Sequence, residues 1–169
     1  MTGQIEIRRA DLSQKPVVYN LLQIYLHTFA SMKTPEDPQW RFNAFGQFDY
    51  PDFNSYWGDR SRHPYLIYAG GDLAGFALIN DGTASGHKTD FFVGEFFVAG
   101  KYRRHGFGRK AALAIFRLHR GIWELGIVDG NAPALSFWEK TLQSPEIRDL
   151  ERLPGSGDWK NGVIFRFSV

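Results

Sequence analysis

The chain has 169 residues, 43% hydrophobic and 22% charged, which excludes disorder as its main state and suffices for one domain with a sizeable core. Twenty Lys and Arg against 18 Asp and Glu leave a net charge of +2, too even to make nucleic acid the main partner. There is no Cys, which removes disulfides, thiolate metal sites and any Cys nucleophile, and which fits a reducing compartment.

Met1 to Ala10 alternates and carries charge, so it lacks the apolar stretch of a signal peptide. The longest apolar runs, such as Phe76 to Ile79, are too short to span a bilayer, and the expectation is a cytoplasmic protein without membrane contact. Gln4 to Arg8 predicts a strand with Ile5 and Ile7 on one face. A helix opens at Pro16, with Val17, Leu21, Ile24 and Phe29 as its apolar row, widened by Leu22, Tyr25 and Leu26. Thr34 to Pro64 is rich in Pro, Asp, Asn and aromatics and reads as a long functional loop with a short helix near Phe53 to Asp59. Strands follow at Tyr65 to Ala69 and Leu73 to Asn80, joined by a Gly70-Gly71 hairpin turn.

Asp81 to Lys88 is a polar turn region, and Phe91 to Val98 is a further strand. Gly106 to Arg120 is helical, with Ala112, Ile115, Phe116 and His119 on one stripe. Ile122 to Val128 is a strand, and Asn131 can cap a helix that runs through Pro133 to about Leu142. Ile147 to Leu150 and Val163 to Val169 read as final strands around a Gly155 to Gly162 turn. The order describes a single domain over residues 1–169, a mixed α/β (α+β) sheet with helices on both faces.

The junction after Val98 carries the most chemistry. A basic loop leads to Gly106-Phe107-Gly108 at the start of a helix. Glycines at a strand-to-helix junction let backbone N–H groups approach an anion, and the helix N-terminus adds partial positive charge. Lys101, Arg103, Arg104, Arg109 and Lys110 surround the place, a density suited to a ligand with several phosphate charges. Gly106-x-Gly108-x-x-Ala111 also fits a dinucleotide fingerprint, with Glu124 near the distance of a ribose-binding acid. Against that stand its place past the middle of the chain, the few strand-helix units that could follow, and the antiparallel strands before it.

Val98-x-x-x-x-Arg103-x-x-Gly106-x-Gly108 resembles the pyrophosphate-loop motif of the GNAT acetyltransferase superfamily. The stretch Asn131-Ala132-Pro133-Ala134-Leu135-Ser136-Phe137-Trp138-Glu139-Lys140 is similar to a later segment of that superfamily, one helix and one strand further on. The aromatics from Phe45 to Trp57, Glu95-Phe96-Phe97-Val98 and Phe137-Trp138 resemble a group of predicted bacterial acetyltransferases of unknown substrate. The resemblance implies a mostly antiparallel sheet of about six to seven strands, splayed at its centre, and acetyl-CoA as acyl donor. It places the pantetheine arm against Phe97 and Val98, and the diphosphate on N–H groups of Arg103, Arg104, His105, Gly106, Phe107, Gly108 and Arg109. Asn131 would bond the pantetheine or simply cap its helix. Phe137, with Trp138 beside it, would pack against CoA or simply fill the core.

Direct acyl transfer needs a base, a polarised thioester carbonyl and a route for the thiolate to leave, and no covalent enzyme intermediate. Glu95, an acid inside the apolar run FFVGEFFVA, is the candidate catalytic base; it could also attract a cationic acceptor or sit in a strand salt bridge. Many relatives carry Tyr where this chain has Trp138, and an indole has no labile acidic proton to give a thiolate. The acceptor, a small-molecule or protein amine, is expected against Tyr25, Phe29 and Tyr56, with Trp40, Phe45, Phe48, Tyr50 and Trp57 as further rings and Asp49, Asp52 and Asp59 interleaved. The five histidines show no ligand spacing, so no metal is expected, and a homodimer is left open. The alternatives are an acyl-CoA-binding domain without catalysis and a dinucleotide-dependent oxidoreductase.

Overall fold

Alternating apolar residues assemble one seven-stranded sheet in the order β1-β2-β3-β4-β5-β7-β6. The computed structural model describes residues 4–169, so the first three residues of the expected charged N-terminus lie outside it. β1 (Ile5–Arg9), β2 (His63–Ala69), β3 (Asp72–Asn80) and β4 (Phe91–Val98) pair antiparallel in turn. β5 (Ile122–Ile127) joins β4 in parallel, and β7 (Val163–Ser168) lies between β5 and the edge strand β6 (Arg148–Pro154). Parallel neighbours need a crossover, which α2 (Phe107–Leu118) supplies. The mixed, mostly antiparallel sheet with helices on both faces agrees with the sequence expectation.

Each sheet face has its own core. α2 and α3 (Ala132–Thr141) cover one face, with Ala112, Phe116 and Trp138 on Ile79, Trp123, Leu125 and Phe167. α1 (Lys15–Ala30) and the segment that follows it cover the other, with Leu22, Phe48, Phe53 and Tyr56 on Leu66, Phe76, Leu78 and Phe97. Gly70 and Gly71 turn the β2–β3 hairpin at φ +62° and +90°. Among the described residues no helix is long and apolar enough to cross a membrane.

Three local expectations are corrected. The buried row of α1 is Val18, Leu22 and Leu26, whereas Ile24 is 58% exposed. Apolar residues nearly encircle that helix, so its spacing left the rotation open, and the sheet selected the row. α2 ends at Leu118; His119 has extended backbone and its ring packs on His63, 4.5 Å between centroids. β6 runs to Pro154, beyond the expected Leu150, because β7 pairs with Glu151 to Pro154 past an irregularity at Asp149 and Leu150, despite the exposed, charged sequence.

A buried ion pair closes the end of the sheet where β4 begins. Glu124 on β5 has 0% exposure, and its carboxylate accepts from the Thr83 and Ser85 hydroxyls, the Ala84 and Ser85 N–H groups and Arg166 Nη1, at 2.6 to 3.1 Å. Arg166 Nη2 in turn donates to Lys88 O at 2.7 Å. The β3–β4 connection is thereby fastened to β5 and β7. Burial alone would raise the pKa of Glu124; Ser85, Arg166 and the Ala84 N–H outweigh it and hold it at about 2. Its contribution is therefore present above the ordinary carboxylate range and is lost as the pH falls toward 2. Glu124→Gln should leave Arg166 without its counter-charge and cost about 3–5 kcal/mol, read as a lower urea midpoint at pH 7; an unchanged midpoint would show the clamp to be idle.

Candidate functional site

β4 carries one residue too many for a regular ladder. Leu78 of β3 pairs with Glu95, but Ile79 pairs with Val93, so Gly94 is a β-bulge. Only glycine fits there: a Cβ would lie 2.9 Å from both Asn80 Nδ2 and the Tyr56 hydroxyl. The extra residue reverses the alternation of side chains. Val93 and Phe96 face α2 and α3, while Phe97 packs on the α1 side with Tyr25, the ring that also faces Glu95.

The same place is where β4 and β5 part. Their ladder comprises Phe91–Trp123, Phe92–Glu124 and Val93–Leu125, after which β4 continues paired only with β3 and β5 only with β7. Phe97 O and Ala99 N are directed at β3. Strand alternation therefore turns the peptide groups of Phe96 and Val98 toward the open gap. Arg103 reaches back over it: its Nε donates to Val98 O at 2.7 Å and its guanidinium lies 5.6 Å from the Phe97 ring centre.

At the far end of the gap lies the basic loop. Arg104 and Gly106 both have left-handed backbone, φ +64° and +77°, and Gly106 is the N-cap of α2 without a side chain to cap it. The N–H of Arg103 donates to Gly100 O and that of Lys110 to Gly106 O. The first amides of a helix have no intrahelical acceptor, so those from Arg104 to Arg109 form the uncapped run, one residue shorter than expected. Among the described residues Lys101, Arg104, Arg109 and Lys110 make no salt bridge. Gly108 acts by close approach: a Cβ there would meet Phe137 Cε2 at 3.1 Å. His105 is exposed and Phe107 is buried against Ala69 and Ala74.

At the near end Glu95 lies beneath α1 and the 31–62 segment. Tyr50 Oη donates to its Oε1 at 3.0 Å, and Tyr25 faces the same carboxyl. Burial raises the pKa of Glu95 to about 7, with the Tyr25 and Tyr50 hydroxyls acting in the opposite direction. Desolvation, and then the Glu95 charge, push both tyrosines upward. Tyr56 is 2% exposed and its hydroxyl accepts from Asn80 Nδ2 at 2.9 Å, so it is a core support of the site rather than an open wall. Phe29 stacks edge-on to Tyr25 at 4.8 Å and lies parallel to Trp40 at 6.1 Å.

The acids expected among these rings are turned elsewhere. Asp49 accepts from Asn43 and Asp59 from Ser61, and Asp52 is exposed. Glu95 is the carboxylate that the fold brings to the rings. Asn131 caps α3 by accepting from Ala134 N at 3.2 Å. Phe137 stacks on Phe96 at 5.7 Å, and Trp138, 7% exposed, packs on Phe96 and Phe116. Glu124 cannot serve a dinucleotide ribose, because the clamp already occupies its buried carboxylate. Tyr50 was one ring among eight in the sequence; its bond to Glu95, 45 residues away, carries no local signal.

The family model described as "Acetyltransferase (GNAT) family" matches residues 21–142. No protein of curated function matches the chain. An acetyltransferase of Thermus thermophilus shares the fold with a TM-score of 0.67 at 12% identity, over 98% of this chain and 97% of that one. The PaiA N-acetyltransferase of Thermoplasma acidophilum, in complex with coenzyme A, superposes with a TM-score of 0.64 at 12% identity, over 98% and 99%. The spermidine N-acetyltransferase of Vibrio cholerae, in complex with CoA and spermine, gives 0.59 at 12%, over 98% and 95%. With the parted β4–β5 pair, the uncapped basic loop and a family match over most of its length, the chain belongs to the GNAT acetyltransferase family.

Proposed function

We infer that this protein is a one-domain N-acetyltransferase that moves an acetyl group directly from acetyl-CoA to an amine. The carrying observation is the gap after Val93, which has free loop amides at one end and the raised Glu95 carboxyl at the other. The amides of Arg104 to Arg109 suit the diphosphate, with Lys101, Arg104, Arg109 and Lys110 adding charge. The peptide groups of Phe96 and Val98 suit the pantetheine amides, with Arg103 releasing Val98 O as the arm enters. Phe137 and Asn131 flank that arm from α3. Relatives solved with CoA support this donor.

Glu95 takes a proton from the acceptor ammonium, directly or through water. The freed nitrogen bonds to the thioester carbonyl carbon, the C–S bond breaks, and the nitrogen loses a second proton. That proton neutralises the departing thiolate, by direct transfer or through water. Trp138 does not supply it, because an indole N–H is not labile and this one is buried. Tyr25 and Phe29 form the acceptor wall with Trp40. The same Trp138 favours the second reading, an acyl-CoA-binding domain without turnover. CoA release with a panel of amines separates the two.

Five outcomes test this reading. Acetyl-CoA should raise the melting midpoint and NADH should not, because only a ligand of the folded state stabilises by mass action. Asp and Asn both tolerate left-handed backbone, so Gly106→Asp and Gly106→Asn differ mainly in charge. The Asp variant should bind CoA about tenfold to a hundredfold more weakly than the Asn variant; equal affinities would remove the phosphate site. With Glu95 as base, kcat/KM should rise with pH through about 7. Glu95→Gln should lower turnover about 10²–10⁴-fold and leave CoA affinity in place. A carboxyl whose pKa is raised on folding weakens the fold as the pH climbs past its unfolded value, so the same variant should melt higher than the parent at pH 8 and not at pH 4.

A further inference from the structure

Glu95 is half-buried and has no counter-ion among the described residues. The titratable groups facing it are Tyr25 from α1 and Tyr50 and Tyr56 from the 31–62 segment. Arg62 lies 5.2 Å from the Tyr56 ring centre and acts on Tyr50 and Tyr56 rather than on the carboxylate. Asn80 on β3 is spent on Tyr56 and Gly82. Phe76 and Phe97 close the remaining sides through edge contacts with Tyr25. The ionised carboxylate thus depends on phenol hydroxyls, and the Tyr50 bond is direct at 3.0 Å.

Tyr50 is also set in advance. Two residues before it, Phe48 is held by both halves of the Gln23 amide: Phe48 N donates to Oε1 at 2.8 Å and Nε2 donates to Phe48 O at 3.0 Å. Asn43 ties the preceding turn to Asp49 and to the N–H groups of Phe45 and Gln47. α1 and the turn therefore bring the Tyr50 hydroxyl to Glu95 before any acceptor arrives.

We propose that Tyr50 is a positioning residue for Glu95: its O–H fixes the carboxylate through Oε1, beside the Tyr25 hydroxyl, leaves the remaining lone pairs for the acceptor proton, and links the base to the loop on the acceptor side. This rests on the acyl-transfer reading. A hydrogen bond to a carboxylate is strongest while that group is charged, so the bond favours the proton-accepting form. It weakens, without any net proton loss from Tyr50, when Glu95 receives the acceptor's proton.

The test is Tyr50→Phe, which keeps the ring in the apolar packing and deletes only the hydroxyl. Carbon-13 NMR of the Glu95 carboxyl should show its titration midpoint rise by about one pH unit, the scale of one lost charge-assisted bond. The acidic limb of kcat/KM for the best amine of the panel should rise by the same amount, with CoA affinity unchanged. A residue that merely supports the loop would lower stability and leave both midpoints in place, and that result overturns the proposal. The carboxyl titration needs no turnover, so it judges the Tyr50–Glu95 link even if the protein proves not to acetylate. A carboxyl midpoint that moves while the kinetic limb stays removes Glu95 as the base, and the positioning role with it.

Discussion

One extra residue in one strand governs this molecule. Without the bulge at Gly94, β4 would alternate regularly, and Glu95 would point with Val93 into the core beneath α2 and α3. A lone carboxylate there would face Trp123, Leu125 and Phe116, with no donor to meet it. The bulge sends it instead to a chamber of tyrosines. It also marks where β4 stops pairing with β5, so the same irregularity sets both the acid and the gap.

The fold treats two of its carboxylates, buried Glu124 and half-buried Glu95, in opposite ways. Glu124 receives five donors, one of them Arg166, and its pKa is held at about 2. Glu95 receives phenol hydroxyls alone and is raised to about 7. The first closes one end of the β4–β5 pair, where permanent charge and full satisfaction favour rigidity. The second stands where the pair opens, where a group that exchanges its proton near neutrality is useful and a permanently paired one would be inert. These two sites are neighbours through the three-residue ladder between Phe91 and Val93.

The fold neighbours share about one residue in eight with this chain, at 12% identity, yet superpose over nearly all of it. What such chains share with this one is the course of the backbone. Peptide groups are present at every position, so a site built from them persists while side chains drift. Side chains then decide what differs, and here the end of the gap beside Glu95 is made of aromatic rings and one carboxylate.

The sequence determined the parts whose physics is local. Gly106 at a strand-to-helix junction, the Gly70-Gly71 turn, the cap at Asn131 and the alternation of β1 all follow from φ preferences, hydrogen bonding and period within a few residues. The order of strands and helices followed from them, and the family from the resemblance carried by the loop ending at Gly108 and the stretch from Asn131 to Lys140. The rotation of α1, the length of β6 and the fate of Asp49, Asp52 and Asp59 did not. The first two depend on the strands packed or paired against them, and Asp49 and Asp59 are engaged by Asn43 and Ser61, a choice that the interleaving of rings and acids did not reveal. Tertiary structure alone decided that Tyr25 and Tyr50, of the eight rings, turn their hydroxyls to Glu95, and that Glu124 is a clamp rather than a ligand. Burial and pairing set the chemistry of a carboxylate, and neither is written in its own stretch of chain.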